Sequence, residues 1–311
     1  MPQEIDQLFE MYISECRYTK RLSPQTIKGY GEVFSTFLKI LPEFSSVEQL
    51  NPSLVTEFFR RISVRKRSVG NTIKTGIRES TISTYYNKLM AFFRWLELND
   101  YIKFGSISNK VARPPAPIYT DQRELNIDEI AKIITAITMN SMNDQFVYLR
   151  DLAIISVLLY SGIRRGELLG LRVHDVDFER KRLFISHRTS KSKFDRYIPM
   201  HSTLALHLTS YLNERRKRKA NTPSLFISSK RNTGLTEHGL KHWVTKYSKL
   251  SNVNFHLHRF RHTFACNLAR AGTNTVSIKT LLGHTSIRMT ERYLRSIQTE
   301  DSRDDIEKLS F

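Results

Sequence analysis

Three closely spaced prolines divide this chain into two parts. Pro114, Pro115 and Pro117 lie in the segment GSISNKVARPPAPIY, residues 105–119. Proline has no backbone N–H and restricts the residue before it to extended conformations, so no helix continues through this segment. The chain has 311 residues, which is enough for two domains that each bury a core. The pattern predicts a first domain at 1–110, a linker at 111–122 and a second domain at 123–311.

The first part has the periodicity of amphipathic helices. Apolar residues recur at helical spacing in four stretches, at 5–13, 27–41, 54–59 and 82–96. Ser23 before Pro24, and Pro52, are typical of helix starts, because proline is well tolerated in the first turn. We therefore predict an all-helical first domain whose apolar stripes form its core.

Residues 60–80 separate the third and fourth of these helices and are strongly basic. The segment has seven basic residues, two glycines and one acid. A solvated loop is one interpretation, and we favour a loop that becomes ordered along the phosphates of DNA. The residues expected to contact DNA here are Arg65, Lys66, Arg67, Lys74 and Arg78.

The second part changes its periodicity twice. Asn126 with Glu129 three residues later predicts a capped helix start, and a buried helix at about 146–160 is ended by Gly162. Period-two alternation then predicts a β-hairpin from strands at 182–186 and 195–199. Helices resume at about 202–218, 236–249, 258–271, 274–282 and 286–294. The fold class is therefore mainly α, with a mixed α/β second domain that contains a small antiparallel sheet.

The composition points to a polyanionic partner. Lys and Arg number 49 against 30 Asp and Glu, a formal net charge of +19. A basic surface binds nucleic acid by releasing counterions from phosphates, although a basic surface can also serve solubility alone. Two cysteines form no disulfide framework, and no apolar run approaches the ~20 residues of a membrane span. We expect a cytoplasmic protein.

Six polar residues in the second part could together transfer a phosphoryl group to a side chain. Arginines grip phosphate oxygens, histidines move protons near neutral pH, a lysine can protonate a leaving oxygen, and a tyrosine can act as nucleophile. The residues are Arg164, Lys191, His258, Arg261, His284 and Tyr293. Lys193 is the alternative to Lys191, and each of these residues taken singly could be structural.

Other chemistries have weaker support in the sequence. His256, His258, His262 and Cys266 have plausible spacing for a metal site, but Arg261 lies among them and would repel a divalent cation. The chain has no phosphate-binding glycine loop, no dinucleotide fingerprint and no acidic cluster for Mg²⁺. We therefore expect no metal and no cofactor.

Four motifs resemble those of the tyrosine recombinases, the integrase family of site-specific DNA recombinases. The motifs are SGIRRGELLGLR, a hairpin that ends in Arg-Tyr-Ile-Pro, HRFRHTFA and LGHTSIRMTERY. Their order places the family's catalytic residues at Arg164, Lys191, His258, Arg261, His284 and Tyr293. Glu167 and His262 would support the arginines and the helix. The chain is most similar to the simple, Xer-like type without an arm-binding domain.

The resemblance implies a fold, a reaction and partners. The fold is a two-domain DNA clamp with a helical, SAM-like core-binding domain and a catalytic domain. Tyr293 would form a 3′-phosphotyrosyl link without metal or ATP, at a duplex core site with inverted repeats. Four protomers would act on two duplexes, being monomeric or weakly associated when free, with a directionality or accessory protein as a possible partner. Mobile-element integration or excision, chromosome dimer resolution and an inversion switch all fit.

The resemblance leaves three questions open. A topoisomerase of type IB uses a similar set of residues, and a non-catalytic DNA-binding relative is a second alternative. The acidic tail, with a helix at about 299–311, could dock on a neighbouring protomer or pack on its own chain.

Overall fold

The fold was analysed in a computed structural model, in which the described residues are 4–70, 72–115, 124–190 and 194–294. The described side chains do not include those of residues 69 and 292–294. The chain forms two compact units, Met1–Tyr119 and Thr120–Phe311. No helix in the described ranges is long and apolar enough to cross a lipid bilayer.

The first unit contains four helices around an aromatic core. These are α1 (Ile5–Tyr18), α2 (Pro24–Ile40), α3 (Pro52–Val64) and α4 (Glu79–Leu98), with a short 3-10 turn at Val47–Gln49. The predicted starts of α2 and α3 are confirmed, because Ser23 and Asn51 accept hydrogen bonds from the backbone of the first turn. Buried phenylalanines hold the helices together: the rings of Phe9 and Phe34 stack at 3.8 Å, and Phe37 meets Phe58 at 4.9 Å.

The basic segment between α3 and α4 is a β-hairpin, so the prediction of a loop there was wrong. Strands β1 (Lys66–Val69) and β2 (Thr72–Thr75) pair antiparallel, and the first unit is therefore not helical throughout. The described side chains of the two strands are all exposed. The segment lacks the apolar–polar alternation of a half-buried strand because neither face of the hairpin enters a core.

The second unit is built around one buried helix. Its elements are α5 (Ile127–Ser141), α6 (Gln145–Ser161), α7 (Arg165–Gly170), β3 (Val176–Asp177), β4 (Arg182–Ile185), β5 (Arg196–Pro199), α8 (Ser202–Lys217), α9 (Glu237–Ser251), α10 (Leu257–Arg270), α11 (Thr275–Leu282) and α12 (Ile287–Leu294). Helix α6 is apolar on almost every side and packs against α5, α8 and α10. This position explains why α6 shows no helical stripe in the sequence.

The predicted elements of the second unit that lie in the described residues are confirmed with small shifts of their ends. Asn126 and Glu129 form the predicted capping box of α5, with hydrogen bonds of 2.7 and 3.0 Å. Strands β4 and β5 pair antiparallel, and the two-residue strand β3, which was not predicted, extends the sheet to three strands. On β5, Arg196 and Ile198 face inward and Tyr197 and Pro199 face outward. The mainly α, two-domain fold class is confirmed.

Candidate active site

The buried carboxylate of Glu167 joins three parts of the second unit. Its side chain is completely covered, and it accepts 2.7 and 3.1 Å hydrogen bonds from the two Nη atoms of Arg196. The Oγ of Ser190 donates to it at 2.8 Å, and the backbone N–H of Arg164 donates at 2.9 Å. Burial alone raises a carboxyl pKa, but the hydrogen bonds and charge of Arg196 outweigh it and lower the pKa of Glu167 to about 2.

Three arginines meet the backbone carbonyls at the end of α11, which we call the carbonyl turn (Leu281–Gly283). Arg196 Nε donates to Leu281 O at 2.9 Å, and Arg261 Nη2 donates to Leu282 O at 2.7 Å. Arg164 Nη2 donates to Gly283 O at 2.9 Å. The last carbonyls of a helix are unpaired and carry partial negative charge, so guanidinium groups are favourable partners there. The turn thus fixes three cations close to one another.

Two glycines allow the backbone to approach these arginines. Gly162 ends α6 with φ 57°, and a Cβ added there would lie 2.4 Å from the ring of Phe264. Gly283 ends α11 with φ 63°, and a Cβ there would lie 2.8 Å from Arg196 Nη1. Side chains larger than hydrogen therefore fit neither the space nor the left-handed conformation. Arg261 Nη1 also donates to Gly162 O at 2.8 Å, which joins the end of α6 to the end of α11.

The predicted arginines differ in their access to solvent. The Arg164 side chain is 20% exposed, whereas Arg261 is only 1% exposed. Arg164 also makes a 3.1 Å contact from Nη1 to Glu167 Oε1. Arg164 is thus the more accessible of the two for a phosphate, and Arg261 is held beneath it by carbonyl groups.

The two predicted histidines are kept neutral. The ring of His258 reaches solvent at the start of α10, yet partial burial, followed by the positive charge of Arg261, lowers its pKa to about 4. Burial and the charges of Arg261 and Arg164 lower the pKa of His284 to about 3. Because the same arginines act on both rings, the four groups lie in one region. At neutral pH both imidazoles therefore carry no charge.

His284 is linked to the helix that carries Tyr293. Its Nδ1 lies 2.8 Å from the hydroxyl of Thr290, a residue of α12 with no exposed surface. The backbone of α12 includes Tyr293, whose side chain lies outside the described set. Tyr293 follows Thr290 by three residues, close to one helical turn.

Several predicted residues lie outside the described ranges or away from this cluster. Lys191, Lys193 and the tail at 299–311 lie outside the described residues. His262 is buried on α10 with its Nδ1 3.6 Å from Cys266 Sγ. In the ranges that the structure describes, no group of three or more His, Cys, Asp or Glu is arranged to hold a metal ion.

The sequence prediction missed Arg196, Ser190 and Thr290. One signal was present for Arg196, because it shares the inward face of its strand with Ile198 and a basic residue is unusual on a core-facing position. No comparable local signal marks Ser190 or Thr290, since small hydroxyl residues are common in turns and on helix surfaces.

Comparisons with known proteins agree on one family. Residues 123–300 match the Phage integrase family. A tyrosine recombinase of Thermosipho africanus is 28% identical over 98% of this chain and its own full length. Tyrosine recombinase XerA of Pyrococcus horikoshii is 33% identical over 68% of this chain and 70% of its own. A solved lambda integrase tetramer bound to a Holliday junction has the same fold, with a TM-score of 0.70 and 17% identity over 94% of this chain and 77% of that one. The chain belongs to the phage integrase family.

Proposed function

We propose that this protein is a site-specific DNA recombinase that cleaves and rejoins duplex DNA through a covalent link to Tyr293. The observation that supports this most directly is the convergence of Arg164, Arg261, His258 and His284 beside the helix that carries this tyrosine. The relatives matched over most of the chain are tyrosine recombinases, which cleave and rejoin DNA.

The proposed reaction is a phosphoryl transfer in which one phosphate ester bond replaces another. The Oη of Tyr293 attacks the scissile phosphorus, the bond from phosphorus to the 5′ oxygen breaks, and a 3′-phosphotyrosyl ester forms. A phosphodiester carries one negative charge, and its pentacoordinate transition state carries about two. Arg164 and Arg261 supply two positive charges at this point, which is stabilisation that strengthens as the reaction proceeds. Since Arg261 is covered in this structure, its contact with phosphate requires the packed segments around it to move.

The proton transfers are assigned to neutral histidine and to lysine. His258 is assigned to accept the phenolic proton of Tyr293. Its lowered pKa keeps the ring unprotonated at neutral pH, and the same shift makes it a weaker base than a free histidine. Lys191 donates a proton to the departing 5′ oxygen. His284 Nδ1 and the hydroxyl of Thr290 are 2.8 Å apart. We assign the hydroxyl as the donor in this pair, so that His284 carries its proton on Nε2 and donates a hydrogen bond to a phosphate oxygen.

The hairpin of the first unit is proposed to bind the DNA backbone. Arg67 on β1 lies directly opposite Lys74 on β2, and like charges in this position repel. A phosphate placed against the pair would relieve that repulsion. Arg65, Lys66 and Arg78 are also exposed around the hairpin, and Lys193 is assigned to the DNA interface of the second unit.

The working assembly is proposed to be four protomers on two duplexes with inverted-repeat core sites. The lambda integrase neighbour is a tetramer bound to a Holliday junction. One chain carries one proposed nucleophile, and exchange of two duplexes requires four strand cleavages. A directionality or accessory protein and docking of the tail on a neighbouring protomer belong to this proposal, and removal of residues after Ser296 tests the tail.

The test is capture of the covalent intermediate. A pool of nicked duplexes with randomised cores is incubated with the protein, because the nick lets the short 5′-hydroxyl strand leave and makes cleavage irreversible. Adducts that survive detergent are isolated, and their DNA is sequenced to give the core site. Tyr293→Phe is expected to abolish the adduct and to leave DNA binding nearly unchanged, since only the nucleophilic oxygen is lost.

The controls separate the proposed function from its alternatives. Tyr247→Phe removes another tyrosine hydroxyl, one that donates to Asp151 in the core at 2.6 Å, and it should still give the adduct. Two selected sites placed in one plasmid should recombine. Relaxation of the plasmid without recombination would indicate a topoisomerase, and binding without any adduct would indicate a non-catalytic relative.

A further inference from the structure

Arg196 is a charged residue at the site that is turned away from solvent and toward the protein. Its side chain is 7% exposed, and its two Nη atoms form a two-pronged ion pair with the covered carboxylate of Glu167. We infer that Arg196 is a positioning residue: it neutralises Glu167 and so leaves the charge of Arg164 available to the scissile phosphate. The inference rests on the proposed function, because it concerns how Arg164 is held for that reaction.

The geometry shows how Glu167 divides its contacts between the two arginines. Arg196 makes the shorter contact, 2.7 Å, and uses both prongs. Arg164 donates to Glu167 through Nη1 alone, at 3.1 Å, and its Nη2 donates to the carbonyl of Gly283. Two-pronged pairs between arginine and carboxylate are the stronger arrangement. Glu167 is therefore satisfied mainly by Arg196, and Arg164 is oriented by it without being neutralised.

The sum of fixed charges leads to the same conclusion. Arg164, Arg196 and Arg261 with Glu167 sum to +2, which matches a transition state of about two negative charges. Without Arg196 the sum falls to +1. A buried carboxylate that loses its cation is costly and attracts the nearest remaining one. That cation is Arg164, which already touches Glu167.

Arg196 also supports the turn on which the other arginines rest. Its Nε donates to Leu281 O, the first carbonyl of the carbonyl turn. The next two carbonyls, of Leu282 and Gly283, are bound by Arg261 and Arg164. The backbone at Gly283 lies so close to the Arg196 guanidinium that no Cβ fits between them. Removing Arg196 thus affects Arg164 through both the carboxylate and the turn.

The test compares a single with a double substitution. Arg196→Met is expected to slow adduct formation on the selected nicked duplex by roughly 10²-fold at saturating DNA, comparable to losing one charge-stabilising group in an active site. The dissociation constant for the same duplex should change little. Arg196→Met/Glu167→Gln should then be about tenfold faster than Arg196→Met, because the neutral amide no longer draws Arg164 away from phosphate.

A matched control is available in the same unit. Arg150 forms a buried ion pair with Asp151, with side chains 8% and 1% exposed, and also donates to the backbone carbonyl of Ile227. Arg150→Met therefore removes an equally buried arginine from an equally buried acid. It should lower thermal stability and leave the adduct rate of the folded protein unchanged. Arg196→Gln provides a second, polar substitution if Arg196→Met does not fold, with the same expected order of rates.

The outcomes are distinct. The inference is supported if the double variant outpaces the single one while both bind DNA alike. It is overturned if adding Glu167→Gln leaves the rate of the Arg196 variant equal or lower, or if Arg150→Met slows the reaction as much as Arg196→Met. A wild-type protein that forms no adduct with any duplex in the pool contradicts the proposed function itself.

Discussion

In the described residues, each compact unit buries one glutamate, Glu97 in the first and Glu167 in the second. The two carboxylates are stabilised by different kinds of donor. In the first unit, Glu97 accepts hydrogen bonds from uncharged donors, among them the N–H groups of Ile107 and Ser108 at 2.9 Å and the hydroxyl of Ser108 at 2.6 Å. In the second unit, Glu167 accepts hydrogen bonds from two guanidinium groups, those of Arg164 and Arg196, as well as from uncharged donors. Glu97 fastens a loop to α4, whereas Glu167 organises cations.

The same contrast extends to each whole unit. In the described residues of the first unit, Glu97 is the one buried charged or polar side chain. The second unit buries acids, histidines and arginines, among them Arg150, Asp151, Arg196, Arg259, Arg261, His262 and His284. All ten histidines of the chain lie between residues 174 and 284. The first unit is therefore stabilised mainly by apolar packing and presents its charges outside, while the second accepts the cost of buried charge where the site requires it.

The largest expected effect is on the aromatic core of the first unit. Phe37 has no exposed surface and contacts Phe44, Phe58 and Phe93. Phe37→Ala should lower the free energy of unfolding of the first unit by about 3–5 kcal/mol, through lost burial and the cavity left behind. The measurement is urea unfolding followed by the emission of Trp95, in a Trp243→Phe background.

The second unit supplies the comparison for this prediction. With Trp95→Phe, the emission of Trp243 reports on the second unit, and its transition should not move when Phe37 is replaced. Phe104→Ala, which removes a phenylalanine that is 70% exposed, is the matched control and should change neither transition by more than about 0.5 kcal/mol. Equal shifts of both transitions would show that the units unfold together. The claim that each unit is stabilised independently, the first mainly by apolar packing, would then be wrong.

The sequence was sufficient for the parts of the fold that depend on local patterns. Helical periodicity, Ser23-Pro24, and Asn126 with Glu129 predicted helices and starts that the structure confirms. The hairpin at residues 66–75 was missed because the described side chains on both its faces are exposed. Its strands therefore lack the alternation of apolar and polar residues that predicts a half-buried strand. A Gly-Asn pair between Val69 and Thr72 was the remaining signal for a tight turn.

The site was only partly predictable because its second layer depends on distant contacts. Arg164, His258, Arg261 and His284 lie in recognisable motifs, and their grouping follows from the family resemblance. Their supports come from elsewhere in the chain: Arg196 reaches Glu167, 29 residues away, and Leu281, 85 residues away. No periodicity or spacing encodes such a contact, and it becomes visible only when β5, α7 and α11 are packed together.

Acidification should lower the free energy of unfolding of the second unit more than that of the first. The expected difference is smaller than the effect of Phe37→Ala. His284 is 6% exposed, and its pKa in the folded protein is about 3, below the value of about 6.5 in the unfolded chain. The unfolded chain therefore binds the proton first, and stability is lost as the pH falls from about 6.5 toward 3. Between pH 7 and 5 the second unit should lose on the order of 1–2 kcal/mol from this residue.

The first unit has no histidine that could titrate in this range. Its Trp95 transition should therefore be nearly constant from pH 7 to 5, while the Trp243 transition moves to lower urea. His284→Gln should remove part of that movement, whereas His174→Gln, at an exposed position, should not. A first unit that weakens as much as the second over this range would contradict the assignment of the effect to buried histidine.

The smallest expected effect concerns the exposed charges of the hairpin. A side chain that neutralises one phosphate contributes about 0.9 to the slope of log Kobs against log salt concentration. Arg67→Ala should therefore reduce that slope by about one and should leave the adduct rate at saturating DNA unchanged. Lys39→Ala, which removes one exposed charge from α2, is the control and should alter neither quantity.

Arg196→Met is expected to have the opposite pair of effects: it should slow adduct formation and leave the salt slope unchanged. If Arg67→Ala slowed adduct formation at saturating DNA, a surface charge of the first unit would be acting on the chemical step. The separation of exposed charge for binding from buried charge for catalysis would then fail.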